Sequence, residues 1–269
     1  MSTRHFPEDT PNIRIDVEQG IATMTFTQPA RGNPIDGACC RAFRDAALAL
    51  WNTEGLRAVH LRAEGANFSF GGDVKTFVSV KDRLGGLVRD WTADLHTGLQ
   101  RFWKLPVPVV AEVQGFAMGG SVALVAGCDF VLAGLSARFG SAFAQLGFSC
   151  DTGSSVTLAA RLGVARAKRF MMKPEICSSQ QALAMGLVDE VIEDAGLATE
   201  ARARVEALAA GPTLALGEIK RLFLRTGERT LEAQLEDEAL TLARIAGTAD
   251  AREGITAMSE RRKPVFTAR

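Results

Sequence analysis

An aspartate set among small residues, two glycine loops and three histidines are the groups of this chain with chemistry to offer. Asp151 stands in the stretch FAQLGFSCDTGSS, residues 143–155, just before a helical run from Val156 to Arg161. A carboxylate there either caps the helix, the commonest role for Asp at such a step, or points into a pocket as a general base. The residues leave both open. Two loops share the order strand, small residues, helix: Phe68-Ser69-Phe70-Gly71-Gly72-Asp73 and Gly115-Phe116-Ala117-Met118-Gly119-Gly120-Ser121. Such turns leave N–H groups unpaired at a helix start, ready for a carbonyl oxygen or a phosphate. Two that converge make an oxyanion hole; the bland alternative is two tight turns packed in the core. Neither is a P-loop or a G-x-G-x-x-G fingerprint. His5 falls in the N-terminal tail, His60 in a β-type run as a packed residue, and His96 on the helix before Pro106. No Ser-His-Asp order and no metal-ligand spacing emerges, so no metal is expected.

These groups need a framework. Asn12 to Val17 and Ile21 to Thr27 alternate around Gly20 and predict a hairpin. Asp36 to Trp51 carries apolar residues at helical spacing, and Arg57 to Leu61 is a short strand. A helical stretch runs on to Trp103, Pro106 and Pro108 end it, and Val107 to Val113 reads as a buried strand. Phe130 to Ala133 and Leu187 to Ile192 are further strands. From Ser154 the pattern is otherwise helical, and the last ~70 residues have the 3.6-residue period of a helical layer. The expected class is α/β, with residues 1–195 as core and 196–269 as a C-terminal helical region.

Composition narrows the function. The 269 residues carry 31 Lys+Arg against 31 Asp+Glu, a formal net charge of zero, with 47% hydrophobic residues. That balance argues against nucleic-acid or polybasic membrane binding, and no apolar stretch reaches ~18 residues. Five cysteines form no C-x-x-C pair, so a disulfide framework is not expected. A cytoplasmic location is the expectation.

PVPVVAEVQGFAMGGSVALVAGCDFVLAG, the later QALAMGLVDEVI, and PTLALGEIK through TADAREGITAMSERRKPVF come in an order that resembles the crotonase (enoyl-CoA hydratase/isomerase) superfamily, from about Ile13 to Thr267. The C-terminal part looks most like the ring-epoxide and Δ3-Δ2 enoyl-CoA isomerase branch. The resemblance implies a crotonase-like spiral of ββα units, a helical C-terminal trimerisation region giving a homotrimer or a hexamer of two trimers, and a coenzyme A thioester substrate. No cofactor is implied beyond the coenzyme A of that substrate. Two backbone N–H groups of the family's oxyanion hole map here to Phe70 and Gly120. By the same resemblance Arg31, Ala66, Phe68, Gly71, Asp73, Lys75, Gly119 and Phe143 are the positions expected to bind the substrate or its coenzyme A, Arg31 in the loop that meets the nucleotide phosphates and Ala66 and Phe68 where relatives hold the adenine and pantetheine, although Arg31 and Lys75 read equally well as solvated surface charges.

The departures discriminate more than the matches. Hydratases of this superfamily place Glu at the positions of Ala123 and Phe143, so the base that would activate a water for addition is missing here. Asp151 matches the functional Asp of the isomerase branch, where one carboxylate moves one proton between two carbons. It also matches the Asp of the 4-chlorobenzoyl-CoA dehalogenase branch, whose activating His coincides with His96, although the Trp of those enzymes is replaced by Phe143. The leading expectation is an acyl-CoA isomerase with Asp151 as proton shuttle. The alternatives are an aryl-CoA dehalogenase-type enzyme and a non-catalytic acyl-CoA-binding homologue. Glu112, in a strand expected to be buried, needs a partner: an Arg across a subunit contact, or a place near the site as a second carboxylate.

Overall fold

The computed structural model describes residues 12–173 and 175–268; His5 lies outside them. Strands β1 (Ile13–Glu18) and β2 (Ile21–Phe26) form the expected hairpin. Its two turn residues, Gln19 and Gly20, both have positive φ, the conformation that follows the twist of a two-residue hairpin. Helix α1 (Gly37–Trp51) is started by Asp36, whose side chain accepts from the Cys39 N–H at 2.9 Å. It buries Cys39, Phe43, Ala46, Ala47 and Leu50, one face at helical spacing. Strand β3 (Ala58–Ala63), the short α2 (Val74–Ser79) and the long α3 (Leu84–Trp103) follow. Leu95, Leu99 and Phe102 of α3 face the core, and Phe102 meets Phe43 of α1 edge to face at 5.3 Å.

Next come β4 (Val109–Val113), β5 (Phe116–Met118), α4 (Gly120–Ala126), β6 (Phe130–Gly134) and β7 (Arg138–Gly140). The remainder is α5 (Ser154–Leu162), α6 (Val164–Met172), β8 (Ile176–Ser178), α7 (Ser179–Met185), β9 (Glu190–Ile192), α8 (Leu197–Ala209), α9 (Thr213–Phe223), α10 (Leu231–Ala246) and α11 (Ala249–Ser259). A six-stranded sheet has the order β1-β2-β3-β4-β6-β9, parallel from β2 onward. Each parallel step requires a crossover, which the intervening helices supply. One face packs Val109, Ala111 and Val113 into the main core with α1 and α3. The other sets Ala58, Val110 and Leu132 against Leu197, Ala201 and Val205 of α8.

A second, three-stranded sheet, β5-β7-β8, was not legible as strands, because each member is three residues long. It fixes one wall of the site. The Gly119 N–H donates to the Gly140 carbonyl at 2.9 Å, which ties the second glycine loop to the end of β7.

Asn33 secures the first loop. It is buried with φ 51°, and its side chain accepts from the Gln28 N–H at 2.9 Å and donates to the carbonyls of Glu64 and Asn67 at 3.0 Å each. Its own carbonyl receives the Ser69 hydroxyl at 2.7 Å. Asn33→Ala removes three buried hydrogen bonds at a left-handed position, so stability should fall by roughly 2–4 kcal/mol. Denaturant unfolding reads this directly. A midpoint equal to wild type would contradict the role.

Candidate active site

The amides from Phe68 to Phe70 are consumed in turn. Phe68 N–H donates to Gln114 O at 2.9 Å, Ser69 N–H to Phe116 O at 2.9 Å, and Phe70 N–H to Gly32 O at 3.0 Å. The donor expected at Phe70 is therefore occupied within the protein, a correction to the mapping from the resemblance. Gly71 has φ 80°, open to glycine at little cost, and its N–H is taken by the Ser69 hydroxyl at 3.0 Å. The next amide, Gly72 N–H, has no acceptor among the described residues. Sequence reasoning missed Gly72. The available signal was the glycine pair itself, since a left-handed first glycine turns the following peptide away from the strand's partners.

The second loop lies alongside. Met118 N–H donates to Ser69 O at 2.9 Å, and a Cβ placed on Gly71 would sit 2.6 Å from Met118 O. Gly120 opens α4, and its N–H likewise has no acceptor among the described residues. Two unpaired amides thus belong to two loops in direct contact.

Asp151 does not cap α5. The cap position is Gly153, without a side-chain hydrogen bond. The backbone there is fixed instead: Ser154 donates both its N–H, at 3.0 Å, and its hydroxyl to the Asp151 carbonyl. Thr152, 3% exposed, has φ 57°, a strained conformation for a β-branched residue. Its Oγ1 would stand 2.5 Å from a Cβ at Gly120. So the residue beside Asp151 is pressed onto the second loop. The Asp151 carboxylate is part-exposed, and its Oδ1 lies 2.6 Å from His96 Nε2 on α3. His96 and Asp151, 55 residues apart in sequence, form one hydrogen-bonded pair. Ser154 is buried and holds the loop.

The other expected positions divide. Arg31 bridges Asp36 at 2.8 Å and Asp73 at 3.0 Å, and these partners raise its guanidinium above its ordinary range. Burial pushes the Asp73 carboxyl up, but hydrogen bonds from Thr76 and the charge of Arg31 outweigh that and leave it below the usual range. Asp73 caps α2 through Lys75 N–H at 3.1 Å, while the Lys75 ammonium has no partner among the described residues. Ala66 is exposed, whereas the Phe68 side chain is wholly buried, edge to face with Phe26 at 5.8 Å. The Phe68 ring is core, which leaves only the backbone of that position to face a ligand. Gly119 spends its N–H on Gly140. Phe143 lines a cavity of about 380 Å³ with Phe148, Cys150 and Ser155, behind the loop that carries Asp151. Ala123 is fully buried. Cys40, also buried, has its thiol pushed up to about 12 by burial and then by nearby carboxylates, Asp151 among them.

Glu112, the buried carboxylate of β4, has His60 and Arg62 of the same chain as its neighbours. It lies on the sheet face covered by α8, with Oε2 2.9 Å from His60 Nε2 and Oε1 4.0 Å from Arg62. The His60 approach is short, yet its direction does not make a hydrogen bond, and both atoms stay otherwise unpartnered.

The family model described as Enoyl-CoA hydratase/isomerase matches residues 16–269. A probable enoyl-CoA hydratase of Rhodobacter capsulatus is 32% identical over 258 residues, covering 96% of this chain and 98% of that one. The 1,2-epoxyphenylacetyl-CoA isomerase of Escherichia coli is 32% identical over 262 residues, covering 94% and 97%. The crystal structure of a putative enoyl-CoA hydratase from Streptomyces coelicolor A3(2) superposes with a TM-score of 0.92 at 27% identity, covering 100% of this chain and 98% of that one. The chain belongs to the enoyl-CoA hydratase/isomerase family, an enzyme family acting on coenzyme A thioesters, and it has the crotonase-like α/β fold. Among the described residues no helix is long and apolar enough to cross a membrane.

Proposed function

We propose that the protein isomerises an acyl-CoA thioester through an enolate, with Asp151 as the single acid–base group. The observation that carries this reading is the Asp151–His96 pair beside two unpaired amides, with Ala123 and Phe143 where the hydratases of the family have carboxylates. The thioester oxygen accepts from Gly72 and Gly120 N–H. Asp151 takes a proton from a carbon next to the double bond, and the C–H electron pair moves through the chain onto that oxygen. Asp151 then returns the proton to a different carbon, so the double bond shifts without net loss or gain. Each preformed donor contributes on the order of 3–4 kcal/mol to the charged intermediate. His96 holds one carboxylate oxygen and leaves the other to the substrate. Lys75, unpaired and exposed beyond the first loop, suits the phosphates of coenzyme A.

The His96 contact also favours a second reading, nucleophilic substitution on an aryl-CoA. There an Asp151 oxygen bonds a ring carbon, a halide leaves with the electrons of the broken bond, and His96 activates the water that cleaves the resulting ester. Mass spectrometry of enzyme quenched during turnover distinguishes the two. Isomerisation predicts an unmodified Asp151, and an aryl adduct there would establish substitution. Binding of acyl-CoA without product from a broad panel would support the non-catalytic homologue.

The reading also excludes Glu112 from the chemistry. Glu112→Gln should change stability by no more than about 1–3 kcal/mol, since the buried carboxylate approaches His60 without a hydrogen bond and Arg62 only at 4.0 Å, while kcat stays within twofold. A collapse of kcat in a folded variant would return Glu112 to the mechanism.

Self-association into a homotrimer or hexamer belongs to the same proposal. Phe223, Leu231, Leu235, Leu242, Ile255 and Met258 of the C-terminal helices are each more than half exposed, an apolar area large for a monomer surface. Light scattering should give a mass of three or six chains, and a strict monomer would contradict it.

A further inference from the structure

Three aromatic side chains gather beside the first glycine loop. Phe77 on α2 packs against Trp91 of α3 with ring centroids 5.7 Å apart and against Phe148 with centroids 5.7 Å apart, the latter edge to face. All three are half-buried. Phe77 is placed by its contact with the first loop, and Trp91 and Phe148 by the elements that carry them. The Phe77 ring sits beside Gly72, where a Cβ would lie 2.9 Å from its Cζ. Trp91 precedes His96 by five residues on α3, and Phe148 precedes Asp151 by three. The cluster therefore runs from Gly72, whose amide is unpaired, to the loop that carries Asp151.

An acyl group with its thioester oxygen on Gly72 and its reactive carbon at Asp151 has these rings as neighbours. Phe77 and Phe148 touch each other across the gap between α2 and the 143–153 loop, which closes that side to an extended chain. A flexible alkyl chain would have to fold back against them and lose rotamer freedom. A flat ring loses little and gains faces and edges to pack on.

We propose that the acyl group taken by this site is a planar ring — aryl or cyclic unsaturated — and that Phe77, Trp91 and Phe148 select it. The inference rests on the reading of Gly72, Gly120 and Asp151 as the thioester site. The test uses phenylacetyl-CoA and octanoyl-CoA, which have equal numbers of acyl carbons and no double bond to move, so that calorimetry reads binding alone. Wild type should bind phenylacetyl-CoA about tenfold more tightly. Phe148→Leu and Phe77→Leu, which keep apolar bulk and remove a ring, should each bring that ratio close to one. Circular dichroism establishes that each variant is folded; should one not fold, the other and the wild-type ratio decide. Equal or tighter octanoyl-CoA binding by wild type, or an unchanged ratio in the folded variants, overturns the proposal. Loss of the isomerase reading is separate. It would appear as absence of proton exchange with every thioester, and a ring preference in binding would survive it.

Discussion

Asp151→Asn is expected to slow turnover of a 3-enoyl-CoA thioester by about a thousandfold or more while leaving acyl-CoA affinity within about threefold. The amide matches the carboxylate in size and keeps a hydrogen bond with His96 within reach, now 2.6 Å away. What it loses is the capacity to take and return a proton. The backbone that carries residue 151 is held independently of its side chain, by Ser154 on the 151 carbonyl and by Thr152 packed on Gly120. The variant should therefore unfold at the wild-type denaturant midpoint. Steady-state kinetics and calorimetry together make the test. A loss divided evenly between affinity and rate would point to a disturbed pocket, and retained turnover would remove Asp151 from the chemistry.

The second large effect comes from a single methyl group. Gly120→Ala sets a Cβ 2.5 Å from Thr152 Oγ1, a distance at which the threonine must move. Thr152 has little freedom to do so, being buried with φ 57° between Asp151 and the turn at Gly153. The shift passes both to the unpaired amide at 120 and to the carboxylate at 151. A displacement of several tenths of an ångström at both groups should lower kcat about a hundredfold, with a smaller change in affinity for coenzyme A itself. Gly120→Ala combined with Thr152→Ser, which retains the clashing oxygen, should recover nothing. Gly120→Ala with Thr152→Gly, which removes it, should recover part of the rate. Equal rates in wild type and Gly120→Ala would refute the packing argument.

Much of the frame was legible in the sequence because its elements are long and strongly patterned. The hairpin at Gly20, the α1 stripe from Cys39 to Leu50 and the apolar run of β4 each follow from periodicity and turn residues. The strands of the small sheet were not, since three residues carry no period, and their pairing comes from tertiary context. At the site, residue types pointed to Asp151 and to both glycine loops, but not to which amide is unpaired. That depends on the peptide orientation at Gly71 and on Gly32 accepting from Phe70, facts of backbone geometry that composition does not encode. The pairing of His96 with Asp151 joins a helix to a loop 55 residues away, which spacing alone does not reveal. Glu112 shows the converse. A buried carboxylate invited a functional role, and the fold set it against His60 and Arg62 on the sheet face covered by α8.

The most direct measurement is deuterium incorporation from heavy water into 3-enoyl, 2-enoyl and arylacetyl-CoA thioesters, read by mass spectrometry with wild type and Asp151→Asn in parallel. Carbon-bound deuterium that appears with wild type, faster than without enzyme, and disappears with Asp151→Asn is the predicted result. Thioesters that bind both proteins and acquire no deuterium from either, or equal incorporation by the two, would contradict enolate chemistry driven by Asp151.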